Sequence, residues 1–311
     1  MGGGTGTFTV LSGLKKYPLD LSAIVTMADN GGSTGILRDE LGVLPPGDVR
    51  QCLVALSNSD QLMRDLMSYR FSKGRLKGHS FGNILLSALE KVTGNFDQAV
   101  DKASEILRIQ GKVIPATLNK VNLIADLKGK RIVGESAIHN SKLTELKRIS
   151  LRPRAKANPR AIEAIKKADA IIIGPGDFYS SLIPNMLVSG IPEAIRKSRA
   201  KRIYVCNLMT RQEHTSGFTV KRFTETIERY MGCKFDYVIF NKEIPKKDLL
   251  KEYSHEGGKI IEVDKDLSKD KFMGENLIND KFPKLQKQDP IKRTLIRHNP
   301  EKLAKIILKL I

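Results

Sequence analysis

Glycines and small polar residues that precede apolar stretches mark the places where this chain could hold an anion. Gly2-Gly3-Gly4-Thr5-Gly6 stands before the apolar run from Phe8 to Leu14. Glycines let the backbone come close to a phosphate, and a helix start offers unpaired N–H groups at the positive end of its dipole. The spacing is neither GxGxxG nor a P-loop, because no glycine stands at the last position and no Gly-Lys-Ser/Thr follows. Asp29-Asn30-Gly31-Gly32-Ser33-Thr34-Gly35 comes directly after the apolar segment Leu21 to Met27. Its seven small polar residues exceed what a turn with a helix cap needs. Asp29 could meet a ribose hydroxyl or a magnesium ion, while Ser33, Thr34 and the glycine amides could hold phosphate.

Five further segments have residue types suited to the same cleft. In Leu44-Pro45-Pro46-Gly47-Asp48-Val49-Arg50-Gln51, Asp48 is either an N-cap or a second magnesium-side carboxylate, and Arg50 lies one turn further on. His79 and Ser80, with Asn83, stand where a helix starts, as an anion site or simply a cap. Gly174-Pro175-Gly176-Asp177-Phe178-Tyr179-Ser180-Ser181 ends one apolar strand, and Cys206-Asn207-Leu208-Met209-Thr210 ends the next. Arg297-His298-Asn299-Pro300 precedes the last helix. Gly2 to Gly6, Asp29 to Thr34, Gly174 to Gly176, Asn207, Thr210 and Arg297 are the expected nucleotide and phosphate side. Asp48, Arg50, His79, Ser80 and Asn83 are the expected second-ligand side. No GxSxG elbow, HExxH pair or His/Cys cluster occurs, so neither nucleophilic catalysis nor zinc chemistry is expected. No cofactor is required; magnesium at Asp29 and Asp48 is the metal that the residues allow.

The elements that must position these residues follow from periodicity. Leu21–Met27, Ala170–Ile173, Ile203–Cys206 and Tyr237–Phe240 are short, wholly apolar runs ending in polar loops, the pattern of buried parallel strands. Lys259–Val263 is a weaker strand candidate. Val49–Leu56, Phe81–Val92, Phe96–Ile109, Pro159–Lys167 and Pro300–Ile311 have helical spacing. Lys120–Asp126, Arg131–Ile138 and Glu145–Leu151 alternate like antiparallel strands, with a hairpin turn at Gly129-Lys130. The expectation is a single domain over 1–311, an α/β fold with a mostly parallel sheet and an antiparallel insertion at about 112–151. Asp264 to Lys292 is expected to be an exposed, irregular connection. A glycine-rich loop normally follows a strand. Since this one begins at residue 2, the first strand is expected to be missing before it, so that either it lies upstream or a strand from elsewhere fills the slot; an empty slot would leave a sheet edge uncovered.

With 41% hydrophobic and 28% charged residues the composition is that of a globular chain. Cys52, Cys206 and Cys233 are too scattered for a metal or disulfide framework and fit buried thiols of a cytoplasmic protein. No apolar run is long enough to span a membrane. The net charge is +19, of which residues 1–100 contribute +1, residues 101–200 +10 and residues 201–311 +8. Aromatics are 6% with no Trp, so stacking platforms for bases are scarce and a solvated basic surface is favoured over a nucleic-acid face.

Taken in order, the stretches GGGTG, IVTMADNGGSTGILR, LPPGDVRQCLVALS, LKGHSFGN, IIIGPGDFYSSLIPNMLV, YVCNLMT and RHNPEKLA resemble the CofD-like family, and within it the gluconeogenesis-factor (YvcK-like) branch. The resemblance covers nearly the whole chain and implies a Rossmann-like three-layer α/β/α sandwich. It implies a regulator that binds a UDP-sugar such as UDP-N-acetylglucosamine and is linked to cell shape and cell-wall synthesis. A homodimer and a cell-wall synthesis protein as partner go with that branch. The transferase branch instead moves a phospholactyl group from a guanosine diphosphate donor to a deazaflavin, with magnesium. By motif match Thr5 and Arg297 would bind ligand, and Asp48 matches an aspartate on the deazaflavin side. Asn30 stands where many relatives have a second aspartate, and GGSTG and GHSFGN are foreign to the transferase branch.

Overall fold

The computed structural model describes residues 1–143, 145–245, 250, 258–279 and 296–311. From the N-terminus, α1 (Gly4–Leu14), β1 (Ser22–Val25), α2 (Gly32–Leu41), α3 (Gly47–Leu56), α4 (Gln61–Ser68), α5 (Phe81–Thr93) and α6 (Phe96–Leu107) lead to β2 (Lys112–Pro115). An excursion follows through β3 (Asn122–Leu127), β4 (Lys130–Val133), α7 (Glu135–His139) and β5 (Arg148–Arg152). Then come α8 (Pro159–Lys167), β6 (Ala170–Ile173), a π-helical turn (Phe178–Leu182) running into α9 (Ile183–Met186), and α10 (Ile191–Lys197). The chain continues with β7 (Lys201–Val205), α11 (Gln212–Thr215), α12 (Val220–Met231), β8 (Tyr237–Asn241), β9 (Phe272–Glu275) and α13 (Pro300–Leu310).

β1 pairs in parallel with β2, and β6-β7-β8-β9 form a second parallel run in that order. Met1 and Gly2 lie between the two. Gly2 N–H donates to Ile24 O at 3.1 Å, and Thr26 N–H donates to Gly2 O at 3.0 Å. On the other side the Met1 nitrogen donates to Ile172 O at 2.6 Å, and Gly174 N–H donates to Met1 O at 3.1 Å. The slot ahead of the glycine loop is therefore held by these two residues.

Strand residues alternate between two cores, as a sheet covered on both faces requires. Ala23, Val25, Ile203, Val205 and Ile239 pack with α1, α3, α6 and α13. Ile24, Ile171, Ile173, Tyr204 and Val238 pack on the other face with α8, α10, α12 and the excursion. The mixed α/β architecture expected from the sequence is thus present, with helices on both sides of a mostly parallel sheet. Asn95, Asn158 and Asn299 cap α6, α8 and α13 by accepting backbone N–H bonds, and Pro follows Asn158 and Asn299 at the first helical position.

Four local expectations are corrected. Lys112–Pro115 is not part of the antiparallel insertion but pairs in parallel with β1; the antiparallel order is β4-β3-β5, spanning Asn122 to Arg152. Arg131–Ile138 is not one strand, since Gly134 at φ 95° ends β4 and Glu135 begins a helical turn. Lys259–Val263 forms only isolated bridges, Met209 with Ile260 and Thr219 with Glu262, because its alternation serves loops rather than the sheet. The outer parallel strand is Phe272–Glu275, inside the segment expected to be irregular. Residues 280–292 of that segment lie outside the described residues.

Candidate functional site

Loops following Gly2, β1, β6 and β7 emerge at one edge of the parallel sheet, the carboxyl ends of the strands, where ligands of such folds bind. The glycine loop turns directly into α1. Gly3 is the residue ahead of that helix and has no side-chain cap. A Cβ on Gly3 would collide with the carboxylate of Asp48, and Gly4 N–H donates to that carboxylate. Asp48 is therefore not the N-cap of α3, whose preceding residue is Pro46 without a side-chain cap. It reaches across to the start of α1 instead. Thr5 is half-buried, and its hydroxyl has no hydrogen-bond partner among the described residues.

Asp29 lies beside Asp48. Its Oδ1 accepts from Gly31 N–H at 2.8 Å, folding the loop back on itself at the start of α2. Burial raises the Asp29 carboxyl above its ordinary range, against the Gly31 and Thr34 hydrogen bonds and the Arg38 and Arg50 charges. Burial and the charge of Asp29 push Asp48 up to about 7. Two carboxylates that resist ionising together at the N-termini of two helices are suited to a shared cation. Among the described residues no group of three or more His, Cys, Asp or Glu side chains is arranged to hold a metal. The pair fits a hard divalent ion that takes its other ligands from phosphate and water, as magnesium does.

The second-ligand residues form a buried chain next to this pair. Arg50 Nε donates to Asn83 Oδ1 at 2.9 Å, Asn83 Nδ2 donates to Ser33 Oγ at 3.2 Å, and Ser33 Oγ lies 3.1 Å from His79 Nδ1. Ser80 caps α5 by accepting from Asn83 N–H at 3.2 Å. Two separate sequence segments thus meet, and Ser33 joins them to the Asp29 loop. Asn30 faces the insertion, where its Oδ1 accepts from Ser136 N–H at 2.8 Å.

The β6 loop is held by Asn207, which accepts from Gly176 N–H and donates to Gly176 O at 2.8 Å. A Cβ on Gly6 would run into the Pro175 carbonyl, so the two glycine-rich loops touch backbone to backbone. Thr210 is turned to the Lys259 backbone, donating to its carbonyl and accepting from its N–H at 3.1 Å each. Arg297 is half-buried, and its carbonyl accepts from Asn279 N–H at 2.9 Å. The neighbouring His298 donates to Cys206 O at 3.1 Å, so this segment lies against the carboxyl end of β7.

A second group escaped the sequence reading. Arg211 donates to Asp177 Oδ2 at 3.0 Å and to His139 O at 2.6 Å, and its Nη1 lies 2.6 Å from His139 Nδ1. His214 Nε2 donates to Ile138 O at 3.1 Å and Ser141 O at 3.2 Å. Burial opposes ionisation of Asp177, but the His139 hydrogen bond and the charges of His214 and Arg211 outweigh it and hold the carboxyl well below its usual range. Glu135 lies near Gly31 and hydrogen-bonds Ser180; burial, then Asp29 and Asp177, push it up to about 8. Available signals were the Glu135/His139 spacing on one helical face and Arg211 and His214 just after the β7 loop. Neither is specific without knowing that the insertion folds onto the cleft.

The family model for the 2-phospho-L-lactate transferase CofD matches residues 1–282. A putative gluconeogenesis factor of Nostoc sp. is 45% identical, over 99% of this chain and 67% of that protein. The gluconeogenesis factor of Bacillus subtilis is 40% identical, over 100% of this chain and 96% of its own length. A crystal structure of a UPF0052-family protein from Bacillus halodurans superposes with a TM-score of 0.90 at 37% identity, covering 99% of this chain and 97% of that one.

Proposed function

We propose, because this chain belongs to the 2-phospho-L-lactate transferase CofD family, that it is a nucleotide-sugar-binding regulator of the gluconeogenesis-factor type. Its ligand is a diphosphonucleotide such as UDP-N-acetylglucosamine, and its role is in cell shape and cell-wall synthesis. The observation that carries this reading is the Asp29–Asp48 pair set against the glycine-lined starts of α1 and α2. An anion alone would meet the Asp48 carboxylate at Gly4 N–H. A diphosphate accompanied by magnesium meets a complementary site, with the ion on the two carboxylates and the phosphate oxygens on the amides of Gly32 and Ser33. Magnesium would neutralise the diphosphate and draw Asp48 into its ionised form.

Thr5, with its unpartnered hydroxyl, adds a contact on the phosphate side, and Arg297 supplies a charge-assisted bond of about 1.5–3 kcal/mol. Titration calorimetry with UDP-N-acetylglucosamine is expected to show binding that strengthens with magnesium. Thr5→Ala and Arg297→Ala should weaken it at least about tenfold without loss of fold, the equivalent of roughly 1.4 kcal/mol each. Parental affinity in both variants would remove these residues from the site.

The family match favours one other reading, a transferase acting on a deazaflavin with a guanosine diphosphate donor. Asp48, Arg50 and the Ser33–Asn83 chain would then form the acceptor side. Product formation from donor, deazaflavin and magnesium supports it, whereas tight UDP-sugar binding without turnover favours the regulator.

A further inference from the structure

The antiparallel insertion carries charge that the cleft does not use. From Lys120 to Lys156 there are ten Lys and Arg against three Asp and Glu, a net of +7 within the chain's +19. Glu135 is taken up by the cleft, and Asp126 lies opposite both Arg131 and Arg148 on the outer face of the sheet. The hydrogen bond from Arg131, joined by the charges of Arg131, Arg152 and Arg148, holds Asp126 below its usual range. Three arginines thus surround one carboxylate, and Arg148 and Arg152 make no ion pair among the described residues.

β4 is also an edge, paired among the described strands with β3 alone. Gly134 N–H donates to Leu123 O at 2.8 Å, which makes that facing pair a hydrogen-bonded one. By alternation Ile132 is the next residue bonded inward, and the N–H and C=O of Arg131 and Val133 point away from the sheet. Val133 is 55% exposed. Cationic edge residues repel basic edges and would lose hydration without compensation against neutral ones, which leaves an acidic extended chain as the complementary neighbour. Nucleic acid fits less well. No Phe, Tyr or Trp occurs between Phe96 and Phe178 to stack on a base, and outward peptide groups have no use for a phosphate backbone beyond single contacts.

We propose that β4 is a docking edge for an extended acidic segment of another protein. The segment adds as a further strand beside Lys130–Val133 and sets its carboxylates against Arg131 and the lysines of the hairpin. Backbone bonds supply the pairing and the charge supplies the choice of partner. This site is independent of the nucleotide cleft.

Fluorescence anisotropy of the full chain with a labelled peptide of alternating Glu and Val, at about 150 mM salt, tests it. The parent protein is expected to bind. Arg131→Glu should weaken binding at least about tenfold. Val133→Pro should do the same, because it removes an outward N–H at a position where an edge strand tolerates proline. The same peptide with alternate amides N-methylated should fail to bind the parent, a test that leaves the protein untouched. Nucleotide-sugar binding should be unchanged in both variants. Absence of peptide binding overturns the proposal, as does full binding of the N-methylated peptide. Tighter binding of duplex RNA or phosphatidylserine vesicles, lost in Arg131→Glu but kept in Val133→Pro, also overturns it, by making the face a phosphate surface.

Discussion

At the scale of single residues the site depends on what a glycine leaves out. Gly3 leaves room for the Asp48 carboxylate at the start of α1, and Gly6 leaves room for the Pro175 carbonyl. The second contact is the more demanding, because backbone rather than a movable side chain occupies the space. Gly6→Ala is expected to cost about 1–3 kcal/mol through overpacking and to displace the β6 loop from α1. Denaturant melts should show the loss of stability, and calorimetry should show a loss of nucleotide-sugar affinity larger than that of an exposed helical control such as Val92→Ala.

At the scale of elements the insertion is tied to the parallel sheet at both ends of α7. Asn30 holds its start through Ser136, and Arg211 and His214 hold its end through the carbonyls of His139, Ile138 and Ser141. Arg211 also bonds Asp177, so the β6 loop and α7 share one guanidinium. Arg211→Ala removes charge-assisted bonds worth about 1.5–3 kcal/mol. Faster amide exchange is therefore expected over residues 135–143, while β1, β6 and β7 keep their protection. Uniform exchange across the whole chain would show that the insertion and the sheet open as one unit.

At the scale of the whole molecule the chain's last helix is fixed to the sheet through a neutral histidine. Burial lowers the His298 imidazole from 6.5 to about 4, partly offset by its bond to Cys206 O. The unfolded chain therefore binds a proton here before the native one does. The stabilisation is complete above about 6.5 and is lost as pH falls towards 4, up to about 3 kcal/mol. Glu135 and Asp48 are raised rather than lowered and pull in the opposite direction, so the informative quantity is a difference. Between pH 7.5 and 5, His298→Gln should lose less stability in urea melts than the parent, because its amide can donate to the same carbonyl without titrating. Equal losses would mean that His298 is not what makes the fold acid-sensitive.

The amino-acid sequence by itself determined the buried strands Ala170–Ile173 and Tyr237–Phe240, the helix Pro159–Lys167 and the positions of the polar loops. Apolar runs with a capping residue on one side and glycines on the other admit few alternatives. It also marked Asp29, Asp48, Ser33 and Asn83 as ligand-side candidates, with a helix-cap role left open for the Asp48 and Asn83 segments. The tertiary structure alone decided that Asp48 leaves its own helix to reach Gly4, that Ser33 links to His79 and Asn83, and that Asn30 turns to the insertion. These contacts join residues 44 to 106 positions apart, and no local pattern encodes them. The Arg211–Asp177–His139 group and the outward edge of β4 were hidden for the same reason. One exists because the insertion folds back over the sheet, and the other because β4 pairs on one side only among the described strands.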